Sequence, residues 1–128
     1  MAKTFTAPFA QTSKTGTAVL TAASTITNDT PTNTVEIATA GNDGAIVTSL
    51  SFMPRATVTA TALYLFISKD KGTTLRLIDS ELMSAYTMAA TTATPETKFV
   101  NISETTPIRL EAGDKLYVGI GVALVVLF

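Results

Sequence analysis

The stretch TVTATALYLFISKDKGTTLRLIDS, residues 57–80, alternates apolar with small or polar positions on both sides of a short polar break. Leu63, Leu65 and Ile67 recur at a period of two, KDKG (residues 69–72) interrupts, and Leu75 and Leu77 resume the alternation. A period of two sends side chains to opposite faces of a strand, so the stretch predicts a β-hairpin turning at KDKG. Tyr64 and Phe66 make the second face of the first strand apolar as well. A strand apolar on both faces is expected at the centre of a sheet or against a second layer.

Working outward, the same period recurs between turn signals. TAVLTAASTIT (17–27) is strand-like, NDTPTN (28–33) is a turn cluster, and TVEIATA (34–40) sets Val35 and Ile37 on one face. GNDG (41–44) breaks the pattern before AIVTSLSFM (45–53), which predicts Ile46, Leu50 and Phe52 on one side, with Pro54 ending ladder pairing. Downstream, ELMSAYTMAATTATPET (81–97) lacks a sustained period and suggests a short helical turn at SELMSAY followed by a polar loop. KFVNI (98–102), PIRL (107–110) and the turn EAGD (111–114) lead to LYVGIGVALVVLF (116–128).

That closing stretch alternates Leu116, Val118, Ile120, Val122, Leu124, Val126 and Phe128 with Tyr117, Gly119, Gly121, Ala123, Val125 and Leu127. It reads as one strand with a bulky face and a face kept small by Gly119, Gly121 and Ala123. Its far end is apolar on both faces, which implies cover from its own fold or from a neighbouring subunit, because an exposed apolar edge aggregates. It is well short of the roughly 20 apolar residues that a membrane-spanning helix needs.

Composition bounds the rest. The chain has 128 residues, a net charge of −1 and 15% charged residues, without the basic patch or stripe of a nucleic-acid binder. Cysteine and histidine are absent, which removes disulfides, thiolate chemistry, the usual zinc ligands and the commonest general base. Threonine fills about a fifth of the chain and, with Val and Ile, favours strands. MAKTFTAPFAQTSKTG lacks an unbroken apolar core, so no signal peptide is expected. These signals together predict an all-β fold: a single-domain antiparallel β-sandwich over residues 1–128, jelly-roll-like, of about eight strands, with residues 1–14 as an extended N-terminal arm.

Candidate chemistry is sparse. Asp43 and Asp70 could serve calcium loops, but Asp beside Gly is an ordinary turn former, and neither loop carries alternating acidic ligands. Asp79 and Glu81 share a strand face at i,i+2, yet a solvated strand end explains them better than a glycosidase pair. Tyr64, Phe66, Tyr86 and Phe99 suit sugar stacking in principle and core packing more simply. Arg55 and Arg109 read as surface or interface anchors, and Lys14, Lys69 and Lys71 as solvated. No catalytic residue, cofactor or metal is expected.

AKTFTAPFAQTSKTGTAV, LYLFISKDKGTTLRLIDS and TTPIRLEAGDKLYVGIG together resemble small β-rich virion structural proteins of tailed bacteriophages and gene-transfer particles, of the head-decoration or head-fibre-base type. The run P-x-x-L-x-x-G-D-x-L-x-V falls on Pro107, Leu110, Gly113, Asp114, Leu116 and Val118. The resemblance implies a virion protein assembled in the host cytoplasm. It would bind the major capsid protein or another virion protein as a homo-oligomer, a trimer favoured, and contact neither nucleic acid nor membrane. With the apolar termini, it suggests an assembly interface at Phe5, Phe9, Leu124, Val125, Val126, Leu127 and Phe128. A tail-fibre or adhesin-type module binding a cell-surface glycan through the loop at 87–97, with Tyr86, is the alternative expectation.

Overall fold

A computed structural model describes residues 16–26 and 28–123 and the backbone strand at Val126–Leu127. Ten strands and no helix occur among them. They are β1 (Val19–Leu20), β2 (Val35–Thr39), β3 (Ala45–Val47), β4 (Ser51–Pro54), β5 (Thr61–Ser68), β6 (Arg76–Met83), β7 (Thr97–Lys98), β8 (Ile108–Leu110), β9 (Lys115–Ile120) and β10 (Val126–Leu127).

The hairpin is where its alternation puts it. β5 pairs β6 on one edge and β9 on the other, so the strand apolar on both faces is central. Leu63 and Leu65 are fully buried on one face, and Phe66 is buried on the other. Sheets of order β1-β10-β4-β7 and β2-β9-β5-β6 result, with β3 and β8 as a two-stranded pair, and all these ladders are antiparallel. The pairings nest: β5 with β6, β4 with β7, β3 with β8, β2 with β9 and β1 with β10. The chain is thus one antiparallel ribbon, its tip at the β5–β6 turn, rolled until β10 also meets β4 and β9 also meets β5.

A single apolar cluster draws on both four-stranded sheets, with Leu20 and Phe52 from one, Leu63, Leu65, Met83, Leu116, Val118 and Ile120 from the other, and Leu110 from β8. Phe52 and Phe99 stack at its centre with ring centroids 5.0 Å apart. Burying side chains of this size contributes roughly 1.5–3 kcal/mol each, before conformational entropy is counted.

Four local expectations are corrected. Residues 116–128 are not one strand: β9 stops at Ile120, the chain bends at residues 121–123, and β10 lies in the other sheet. The bend is held by partners remote in sequence, Gly121 N–H donating to Ala62 O (2.9 Å) and Val122 N–H to Thr61 Oγ1 (3.0 Å). The stretch at 45–53 divides into β3 and β4, so Ile46 is exposed while Leu50 and Phe52 are buried. No helical turn forms at SELMSAY, because pairing of Leu82 with Ala62 and Met83 with Thr61 carries β6 to Met83, and Tyr86 then bridges Val58. β2 carries a bulge between Glu36 and Ala38, which breaks the alternation read there.

Candidate assembly surface

The β5–β6 turn is locked by its own polar groups. Gly72 N–H donates to Ser68 Oγ (2.7 Å), the Ser68 hydroxyl donates to Asp70 Oδ1 (3.0 Å), and Thr74 N–H donates to the same oxygen (2.8 Å). These bonds, led by that from Thr74, hold the Asp70 carboxyl below its ordinary range. Gly72 takes φ +95°, and a side chain there would meet the Tyr117 hydroxyl. Asp70 is therefore a turn former, as is the GNDG segment, where Gly44 N–H donates to Gly41 O. Among the described residues, no three acidic side chains cluster as a metal would need.

Beside that turn, Lys69 Nζ donates to buried Asp114 Oδ2 (2.8 Å), which also accepts the Glu111 N–H (2.9 Å). The Lys69 bond lowers the Asp114 carboxyl and raises the Lys69 ammonium. The Gly-Asp pair of the EAGD turn thus ties the entry of β9 to the exit of β5. Lys69, expected to be solvated, is half in solvent and half in this bond.

The outer face of the β2-β9-β5-β6 sheet has a covered and an open part. Over Gly119 runs the β1–β2 connection: Ala23 bridges Ile120, and Ser24 N–H donates to Ile120 O (2.7 Å). A Cβ on Gly119 would lie 2.5 Å from Ser24 Oγ and 3.3 Å from the Phe66 ring, so the small face seen in the sequence is the seat of this connection. Asn33, at φ +56°, donates from Nδ2 to Ala23 O, and Arg76 pairs with Asp29 at 2.9 Å, fixing its two ends. Toward the other end the face opens. Leu82 is 66% exposed, pairs across with Ala62, and has Val122 on the adjoining bend, itself exposed.

β6 is an edge strand with exposed Leu77 and Ile78, and it is defended against pairing. Its register against β5 shifts at Ile78, a bulge, and its two carboxylates engage the segment after β7. Glu81 Oε2 accepts Val100 N–H (3.3 Å), and Asp79 Oδ1 accepts from Asn101 Nδ2 (3.3 Å) and Ser80 N–H (2.8 Å). Asp79 and Glu81 therefore tie β6 to the segment after β7.

The four aromatic side chains separate. Phe66 and Phe99 are buried, Tyr64 lies tilted against Phe66 with centroids 6.2 Å apart, and Tyr86 packs against the core. The Tyr86 hydroxyl pairs with Thr92 Oγ1 (2.9 Å) and donates to Ala93 O (3.3 Å), which folds the 87–97 loop onto its ring.

Of the interface residues read from the sequence, Phe5, Phe9, Leu124, Val125 and Phe128 lie outside the described residues. Val126 and Leu127 form β10, whose two edges are both taken within the chain, by Leu20 and Val19 on one side and Pro54 and Met53 on the other. Val126 and Leu127 therefore lie inside the β1-β10-β4-β7 sheet. Sequence reasoning missed Leu82 and Val122 as surface residues: Leu82 was read in an irregular stretch with a short helical turn and Val122 in the alternation of the closing strand, and only the sheet order shows which face is covered. A cleft of about 610 Å³ lies on the opposite margin, lined by Gly16, Ile37, Ala45, Val47, Leu50 and Leu110 and rimmed by Thr17, Thr39, Thr48, Ser49 and Ser51. No helix among the described residues is long and apolar enough to cross a membrane.

No family model, curated protein or solved structure matches the chain.

Proposed function

We propose that the chain is a non-enzymatic structural component of a tailed-phage-type virion, a jelly-roll module that decorates or cements the capsid. It binds the major capsid protein or another virion protein and self-associates, as a trimer. The nested pairing of ten strands supports the jelly-roll reading, since a rolled antiparallel ribbon generates that strand order, and capsid proteins are among the uses of such folds. The observation that carries the assembly role is the exposure of Leu82 on the outer sheet face, opposite half-buried Ala62, together with that of Val122 on the bend after β9, because exposed apolar surface is where contacts with other chains form. Symmetry repeats such a small contact, and repeated contacts gain through avidity.

The glycan-binding alternative asked for Tyr86 open in a groove. A ring packed on the core, with its hydroxyl engaged by Thr92 and Ala93, offers little stacking surface. The test is co-sedimentation with capsid shells assembled from a tailed-phage major capsid protein, comparing the native protein with Leu82→Glu. The proposal expects saturable binding that the substitution abolishes. Native protein left in the supernatant would end the particle reading.

A further inference from the structure

We propose that the cleft of about 610 Å³ beside β2 receives Leu82 of a second copy of this chain, so that copies join head to tail into a closed ring. The inference rests on the self-association proposed above and names the surface that Leu82 meets. A cyclic trimer cannot be built from a patch that contacts itself, because such a contact closes on two copies. Each chain in the ring must offer two different surfaces, one to each neighbour.

Two such surfaces lie at the two edges of one sheet. In the order β2-β9-β5-β6, Leu82 belongs to edge strand β6, whereas Ile37, Ala38 and Thr39 of edge strand β2 line the cleft. At the first edge Leu82 is 66% exposed, with exposed Val122 on the bend held by Thr61 and exposed Val100 beside Glu81. The second is concave and apolar, with Ala45, Val47, Leu50 and Leu110 facing Ile37 across it. Charge argues against each surface meeting its own copy. Asp79 and Glu81 share β6 with Leu82, so setting this edge against itself across a two-fold axis would crowd like carboxylates together. Two clefts set mouth to mouth would enclose a void, which close packing disfavours. Among the described residues no charged side chain lines the cleft, and its rim of Thr48, Ser49 and Ser51 hydroxyls admits a neighbouring carboxylate without repulsion. The β6 edge therefore fits the cleft better than either surface fits itself.

The absence of native cysteine allows a direct test. Leu82→Cys is combined with Thr48→Cys on the exposed rim of the cleft, with Leu82→Cys plus Glu104→Cys as the control and Leu82→Cys alone as a third protein. After mild oxidation, a non-reducing gel reads the number of linked chains and peptide mass mapping reads which positions are joined. The proposal expects a ladder that ends at a trimer, with bonds between position 48 of one chain and position 82 of the next. These bonds should form on the order of tenfold faster than in the control, because a formed contact holds the two thiols at high effective concentration. Leu82→Cys alone should stay unlinked. A bond from position 82 to position 82 in that protein, or a 48-to-82 bond no faster than the control, overturns the inference and leaves self-association standing. In the cysteine-free protein, Thr48→Arg should reduce the native trimer to one protomer in sedimentation equilibrium with an unchanged circular dichroism spectrum. A trimer that survives Thr48→Arg also overturns the inference, whereas a native chain that sediments as a single protomer overturns it together with the reading it rests on.

Discussion

Phe99 and Val100 are adjacent and both apolar, yet the fold assigns them opposite fates. Phe99 is 1% exposed and stacked on Phe52 at the centre of the cluster, whereas Val100 is 75% exposed. Phe99→Ala removes the ring and leaves a cavity between β4 and the segment after β7, which should cost about 3–5 kcal/mol. A domain of 128 residues has roughly 6–19 kcal/mol in total, so this is a large share of it. With a urea slope of about 2 kcal/mol/M, the unfolding midpoint falls by about 2 M. Val100→Ser, at a site already in water, should stay within about 0.5 kcal/mol of the native protein. Urea titration followed by far-UV circular dichroism measures both. If the two variants unfold at the same midpoint, the placement of Phe99 in the core, and with it the packing of one sheet on the other, is wrong.

Other substitutions test other joints of the structure. Gly119→Ala sets a Cβ against Ser24 and should cost about 1–3 kcal/mol by overpacking, and adding Ser24→Gly should recover part of the loss in the same urea assay. Thr61→Val keeps the shape but removes the acceptor of Val122 N–H at the bend into β10, costing about 1–3 kcal/mol, whereas Thr61→Ser keeps the hydroxyl and should cost less. Asp114 has its folded pKa below the unfolded value, so the stability it contributes is complete above about pH 4 and is lost as pH falls through the lower folded value. Midpoints measured from pH 6 down to pH 2 should fall more steeply for the native protein than for Asp114→Asn. Lys69 behaves oppositely, its share present below the unfolded lysine pKa and lost as pH rises through the raised folded value.

Much of this architecture can be read from periodicity, and the exceptions share one cause. The β5–β6 hairpin was legible because the alternation of β5, resumed at Leu75 and Leu77, flanks a turn whose bonds are local, from Ser68 to Thr74. What sequence alone does not disclose is set by distant partners. The alternation of residues 116–128 continues unbroken across Gly121, and only Ala62 O and the Thr61 hydroxyl bend the chain there into the other sheet. Ile46 looks like a core residue until β3 is seen paired with β8 and separated from β4. The SELMSAY segment has helix-compatible composition, which its pairing with Thr61 and Ala62 overrides. The apolar termini give no sign that β10 pairs with β1 and β4 on its two edges, or that Leu82 and Val122 are exposed. Which apolar face a fold covers depends on strand order, and strand order is absent from a period of two.

The central claim is that the exposed surface at Leu82 makes copies of this self-closed fold associate. Sedimentation equilibrium of the native chain across micromolar concentrations should return a multiple of the 13.4 kDa protomer, a trimer, reduced to one protomer by Leu82→Glu with an unchanged circular dichroism spectrum. A native chain that sediments as a single protomer throughout that range would contradict it.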